Sequence, residues 1–166
     1  MLRRSSRHSS RTGAHAGVRS WLVEVLLELA RRLGATDLVH AGERDPVAAI
    51  RERVDHAFEV LGREQTVQQA WRCLDIGGEL VVVGLLPHRA SLTLDADPFV
   101  NEQRIRGCYF GSAITNRDVP ALVQRYLAGE LLLDEIISSR IGLDGLDSAF
   151  ERLRAGEGAR HVLVFD

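Results

Sequence analysis

The stretch Gly77-Gly78-Glu79-Leu80-Val81-Val82-Val83-Gly84 decides how this chain folds. From Glu79 to Val83 it is almost continuously apolar, with glycines on both sides. A strand with one face in water alternates apolar and polar side chains. A run without alternation is expected where helices cover both faces of a parallel sheet. Working outward, residues 65–74 carry helical patterning that Gly77-Gly78 closes, and residues 54–61 read as a strand ended by Gly62. On the other side, Gly84 and Pro87 end the central strand. Residues 91–94 alternate and suggest a short edge strand, and a further strand is expected from Arg104 to Phe110, bounded by Gly111.

The same alternation of helix and strand continues to both ends. Leu22, Leu26, Leu29, Ala30 and Leu33 recur at helical spacing, so residues 21–33 are predicted as a helix capped by Ser20 and stopped by Gly34. A strand is expected over residues 36–40. Asp45-Pro46 then reads as a helix start, a capping Asp followed by a Pro at the first helical position, with the helix running to about Arg53. Towards the carboxyl end a helix is predicted up to Ala128, with Asn116 and Asp118 as caps and Gly129 as its stop. A strand over residues 136–141, a helix over 143–154 and a final strand over 161–165 follow. Strands separated by helices indicate βαβ units, right-handed crossovers and a doubly wound, Rossmann-like parallel α/β sheet. Ligands of such sheets bind at the carboxyl ends of the strands. The candidate positions are therefore the turns Val60-Leu61-Gly62-Arg63 and Val83-Gly84-Leu85, and the segment from Gly107 to Gly111.

Composition narrows the function classes. With 45% hydrophobic residues, 27% charged residues and a formal net charge of −2, the chain is that of a globular domain without a bias towards nucleic acid or membrane. All its basic residues apart from histidine are Arg, which excludes lysine Schiff-base chemistry and a phosphate-loop lysine. Cys73 and Cys108 lie far apart, so a disulfide framework is not expected and a reducing, cytoplasmic setting is. Residues 1–20 are Ser-, Arg- and His-rich, with Arg3, Arg4, Arg7, Arg11 and Arg19 and no acid. They read as a disordered tail rather than a targeting signal, ahead of one domain over residues 21–166.

Several segments resemble one known family. Residues 27–36 (LELARRLGAT) are similar to the second helix of the nucleotide domain of zinc-type medium-chain alcohol dehydrogenases. Residues 54–62 (VDHAFEVLG), 77–84 (GGELVVVG) and 106–112 (RGCYFGS) resemble its successive strands, and Tyr126-Leu127-Ala128-Gly129 with residues 149–165 resemble its carboxyl end. No single motif is specific, but their order and spacing are. The resemblance implies NAD or NADP as cofactor. It places Val60, Leu61 and Arg63 on the adenosine side of the cleft, and Val83, Gly84 and Leu85 beside the nicotinamide. It sets the backbone of Cys108 and Phe110 at the carboxamide, and Arg160 at the pyrophosphate, which the guanidinium fork suits. It also implies a homodimer through the edge strand from Arg104 to Phe110, and a small alcohol or aldehyde as substrate of intact relatives.

The departures shape the expectation equally. A dinucleotide fold needs a glycine-rich turn between its first strand and first helix, and no GxGxxG occurs here. The ribose-binding acid of the family falls at Trp21, so NAD and NADP are not distinguished. The family's zinc ligands lie in an amino-terminal domain without a counterpart here, and His40, His56, His88 and His161 show no ligand spacing. The domain is therefore expected to be the incomplete cofactor-binding portion of an NAD(P)-dependent alcohol dehydrogenase-type oxidoreductase, inactive alone. The alternatives are a non-catalytic dimerising module and, last, nucleic-acid binding by the arginine-rich tail.

Overall fold

The computed structural model describes residues 18–21, 24–50 and 53–165. The strands are β1 (Val18–Trp21), β2 (Asp37–His40), β3 (Val54–Glu59), β4 (Leu74–Val82), β5 (Arg104–Gly107), β6 (Ile137–Ile141) and β7 (Arg160–Leu163). Between them lie helices α1 (Glu24–Arg32), α2 (Pro46–Ala49), α3 (Glu64–Cys73), α4 (Asp97–Val100), α5 (Thr115–Leu127) and α6 (Leu146–Arg154). The described strands form three ladders, β1-β2, β3-β4-β5 and β6-β7, and every pairing in them is parallel. The α/β class with a parallel sheet is thus as expected from the sequence.

The core is built where the opening stretch said it should be. Leu80 and Val81 are adjacent on β4, point to opposite faces, and are both buried. On one face α3 supplies Val67 and Trp71, one helical turn apart, which pack with Leu74 and Leu80. Val54, Ala57, Leu94 and Ile105 close round this cluster. The Trp71 ring sits 4.9 Å from that of Phe99, tilted by 48°. Burying such a ring contributes several kcal/mol, about 3–5 on truncation to Ala.

Caps act as the residue types suggest at several ends. Asp45 accepts a hydrogen bond from the Val47 N–H at 3.1 Å and begins α2. Asp118, in the first turn of α5, reaches back to accept from the Ile114 N–H at 2.8 Å. Its carboxyl is held below the usual range, first by the hydrogen bond from Arg117 and then by that amide. Gly129 stops α5 in the left-handed region at φ +75°.

Five expectations are corrected. The first helix starts at Glu24, not Trp21, because Val18–Trp21 is drawn into a parallel ladder with β2. This strand begins inside the stretch read as a tail, of which residues 1–17 lie outside the described residues. The helix begun at Pro46 ends at Ala49 rather than Arg53, with Ile50 already extended. Gly77-Gly78 does not close α3. The strand has begun at Leu74 and bulges there, its register jumping from Val54↔Leu74 to His56↔Glu79. Gly77 takes φ +74°, and buried Gln103 donates to the Leu74 and Asp75 carbonyls at 2.7 and 2.9 Å, satisfying the bulge.

Residues 91–94 form no strand. Side chains of α3 take the backbone groups that a neighbouring strand would need. Gln68 donates to the Thr93 carbonyl at 2.9 Å, Glu64 accepts from the Thr93 N–H at 3.0 Å, and Trp71 donates to the Asp95 carbonyl at 3.0 Å. Finally, β5 stops at Gly107. The Cys108 N–H still donates to the Val82 carbonyl at 2.9 Å, but Phe110, Gly111 and Ser112 all have φ between 50° and 68° and leave the sheet as a tight turn. Left-handed backbone at the non-glycine Phe110 and Ser112 ends the strand and costs of the order of 1 kcal/mol each.

Candidate functional site at the carboxyl ends of the central strands

The turns after β3, β4 and β5 lie side by side because the three strands are neighbours and run the same way. They are also welded together. The Glu59 carbonyl, at the end of β3, accepts from the N–H groups of Val83 and Gly84 at 2.8 and 3.0 Å. The Val82 carbonyl accepts from Cys108 in turn. The expected residues Val60, Leu61, Arg63, Val83, Gly84, Leu85, Cys108 and Phe110 are thus brought to one rim.

Glu59 organises that rim, and sequence reasoning missed it. Its side chain is 3% exposed. The carboxylate accepts from the Leu61 N–H at 2.8 Å, from the Gly62 N–H at 2.9 and 3.1 Å, and from the Thr66 hydroxyl at 2.7 Å. Two consecutive backbone donors and a hydroxyl replace the water that a buried carboxylate has lost. The turn from Val60 to Arg63 therefore has a single arrangement, with the N-terminus of α3 directly after it. The available signal was an acid closing a strand of mixed polarity, three residues before a glycine.

The two glycines have a sharper reason than expected. Gly84 was read as giving a ligand room close to the backbone. That room is taken by this chain itself: a Cβ on Gly84 would overlap the Gly62 amide and come within 2.8 Å of Glu59 Oε2. Gly62 is at φ +73°, and a Cβ there would overlap the Leu85 carbonyl. Glycine at both positions lets the two turns pass in van der Waals contact.

What the welded turns leave open is apolar. Val60 and Leu61 are more than half exposed, Leu85 is 90% exposed, and Phe110 is 70% exposed. Beside them Arg63 is exposed at the start of α3. Apolar side chains with one guanidinium suit a planar ring system carrying phosphate, so these residues fit a nicotinamide dinucleotide. The N–H of Cys108 is committed to Val82, which leaves its carbonyl for a ligand.

Arg160 stands elsewhere in the ladder scheme, as the first residue of β7, paired with Ile137. There it lines a hollow of about 170 Å³ with Ile141, Leu146, Phe150 and Leu153. No hydrogen bond joins it to the three turns among the described residues. No three His, Cys, Asp or Glu side chains among the described residues come together as a metal site. His161 is instead engaged with Ser139 Oγ at 2.7 Å.

The sequence profile of the zinc-binding dehydrogenases matches residues 22–128 of this chain. The chain belongs to the zinc-binding dehydrogenase family. Alcohol dehydrogenase of Malus domestica is 29% identical over 143 residues, which are 82% of this chain and 38% of that protein. The chain thus spans about two fifths of the curated relatives it matches. Benzyl alcohol dehydrogenase from Acinetobacter calcoaceticus superimposes with a TM-score of 0.86 at 28% identity, over 93% of this chain and 44% of that one. A structure described as a zinc-binding dehydrogenase from Sinorhizobium meliloti 1021, bound to NADP, gives 0.75 at 26% identity, over 92% and 46%. The resemblance read from the motifs is borne out.

Proposed function

We propose that this chain supplies the cofactor wall of an NAD(P)-dependent alcohol dehydrogenase-type oxidoreductase. The observation that carries this reading is the pair of turns locked by Glu59, Gly62 and Gly84 at the carboxyl ends of parallel strands, with an apolar rim left open. Val60, Leu61 and Arg63 would hold the adenosine end. Val83, Leu85 and the Cys108–Phe110 backbone would hold the nicotinamide, and Arg160 would reach the pyrophosphate. When bound, the cofactor supplies a hydride acceptor or donor. The chain's own residues bind it and exclude water from one side of it.

With no glycine-rich turn in the sequence, cofactor affinity should be weak, with Kd near ~1 mM, or about −4 kcal/mol. Amide shift mapping with millimolar NADH and NADPH should move residues 60–63, 83–85 and 108–110. Shifts confined to other regions, or none, would refute the reading. The purified chain should not oxidise alcohols, and measurable zinc-dependent oxidation would overturn that part. The same reading expects a two-fold partner along the open edge of β5, where Ile105→Pro should convert a dimer to a monomer by light scattering. It also goes with a cytoplasmic setting, since both cysteines are free thiols.

A further inference from the structure

We propose that Ser139 and His161 form a nucleophile–base pair, and that it takes the acyl group of an ester with a small apolar acyl part, seated in the hollow between α6 and the β6-β7 ladder. The two residues stand opposite each other on neighbouring strands. Ser139 Oγ lies 2.7 Å from His161 Nδ1, and His161 Nε2 lies 3.2 Å from the Glu157 carbonyl oxygen. A carbonyl only accepts, so Nε2 carries the ring hydrogen and donates it there. Nδ1 then keeps its lone pair and accepts from the Ser139 hydroxyl. A hydroxyl on a ring nitrogen, with the ring held by a third group, is the arrangement that activates a serine.

Two features of the ladder bring the pair about. The register jumps by one residue at Ser138, so that Ser139 rather than Ser138 stands opposite His161. Ser138 Oγ instead accepts from the Ala159 N–H at 2.7 Å, which fixes the turn that carries the Glu157 carbonyl. Gly158 within that turn has φ +77°, and a Cβ there would come 2.7 Å from Ser138 Oγ. The hollow lies on the same face as the pair. His161 lines it together with Ile141, Leu146, Phe150, Leu153 and Leu163, and Ser139 is two residues before Ile141 on β6. Its volume is about 170 Å³. A dry apolar cavity of about 150 Å³ holds benzene, so this one suits a butyryl or benzoyl group. The inference rests on the β6-β7 ladder and not on cofactor binding.

In the reaction, Ser139 Oγ bonds to the ester carbonyl carbon while its proton passes to His161 Nδ1. The ester C–O bond breaks, and the leaving alkoxide takes that proton and departs as the alcohol. Water then attacks the acyl-serine by the same route, releasing the acid and restoring the hydroxyl. The test incubates the full chain with a fluorophosphonate and, separately, with p-nitrophenyl butyrate. Mass spectrometry should find one adduct, on the peptide that holds Ser139. Ser139→Ala should lose it, whereas Ser148→Ala, exposed on α6, should keep it. His161→Gln should slow ester hydrolysis about a hundredfold. Ser139→Ala removes a single oxygen, which keeps the test valid if His161→Gln does not fold. Leu153→Trp, at a half-exposed position of the wall, should slow the butyrate ester more than the acetate ester. A Ser–His bond that merely joins two strands would lower the stability of Ser139→Ala and leave the wild-type chain unlabelled. An unlabelled wild-type chain, an adduct on another residue, or undiminished hydrolysis by Ser139→Ala overturns the inference.

Discussion

Replacing Glu59 by Ala removes the acceptor of four short hydrogen bonds at once. The cost is best worked donor by donor. The Gly62 N–H is buried and is held by both carboxylate oxygens, so it would be left without a partner, at about 1–3 kcal/mol. The Leu61 N–H belongs to a half-exposed residue and can turn to water, losing about 0.5–1 kcal/mol. Thr66 can turn its single hydroxyl hydrogen to the Arg63 carbonyl, 2.9 Å away, and loses little. Adding a small cavity, Glu59→Ala should cost about 3–4 kcal/mol, a large share of the ~5–15 kcal/mol that folds an ordinary domain. Glu59→Gln keeps one acceptor but aims its amide at a donor, and should cost about 1–2 kcal/mol. Urea unfolding followed by tryptophan fluorescence should show the midpoint falling by about 1.5–2 M for Ala, at a slope of about 2 kcal/mol/M that does not change. The amides of residues 60–63 should shift and exchange faster. A fall for Ala of less than about 0.5 M, or Gln as costly as Ala, would mean that the carboxylate does not hold the turns.

Gly84→Ala should destabilise by ~2 kcal/mol or more, because its Cβ meets the Gly62 amide, whereas Gly34→Ala, with open space around it, should cost only the ~1–2 kcal/mol of a left-handed φ; urea midpoints compare the two. Cys108 should react with a disulfide reagent before Cys73, which is buried and whose thiol is pushed up by burial; a single fast thiol that disappears in Cys108→Ser confirms this, and a fast Cys73 refutes it. Asp95 is held below the usual carboxylate range by its hydrogen bond from Arg72 at 2.7 Å. Its contribution is therefore present above the unfolded value and lost as pH falls through the lower, folded one. Arg72→Ala should raise the Asp95 titration midpoint seen by NMR and flatten the acid limb of stability, by a small amount because the pair is exposed.

Much of the fold was legible because it follows from local rules. A strand covered on both faces must be apolar without alternation, as Leu80 and Val81 are. A helix packed on one side must repeat its apolar residues by turns, as Val67 and Trp71 do. What was not legible depends on groups distant in sequence. Residues 91–94 have the alternation of a strand, yet Gln68 and Glu64 claim the backbone of Thr93, and Trp71 that of Asp95 just after it. The aromatic run after β5 reads as strand, but the chain turns left-handed at Phe110. Glu59 is a local case that the sequence pattern still does not mark: Leu61, Gly62 and Thr66, which bind its carboxylate, follow it in the turn and the first turn of α3.

The sequence by itself determined the class: parallel strands, covering helices, and three strand-end turns in a recognisable order, because periodicity and glycine placement act over a few residues. Only the tertiary structure decided how those turns are joined, that Gly62 and Gly84 accommodate each other, and that the ladders part between β1 and β3. Those outcomes are set by which strands lie side by side, and no local pattern encodes a neighbour that far along the chain.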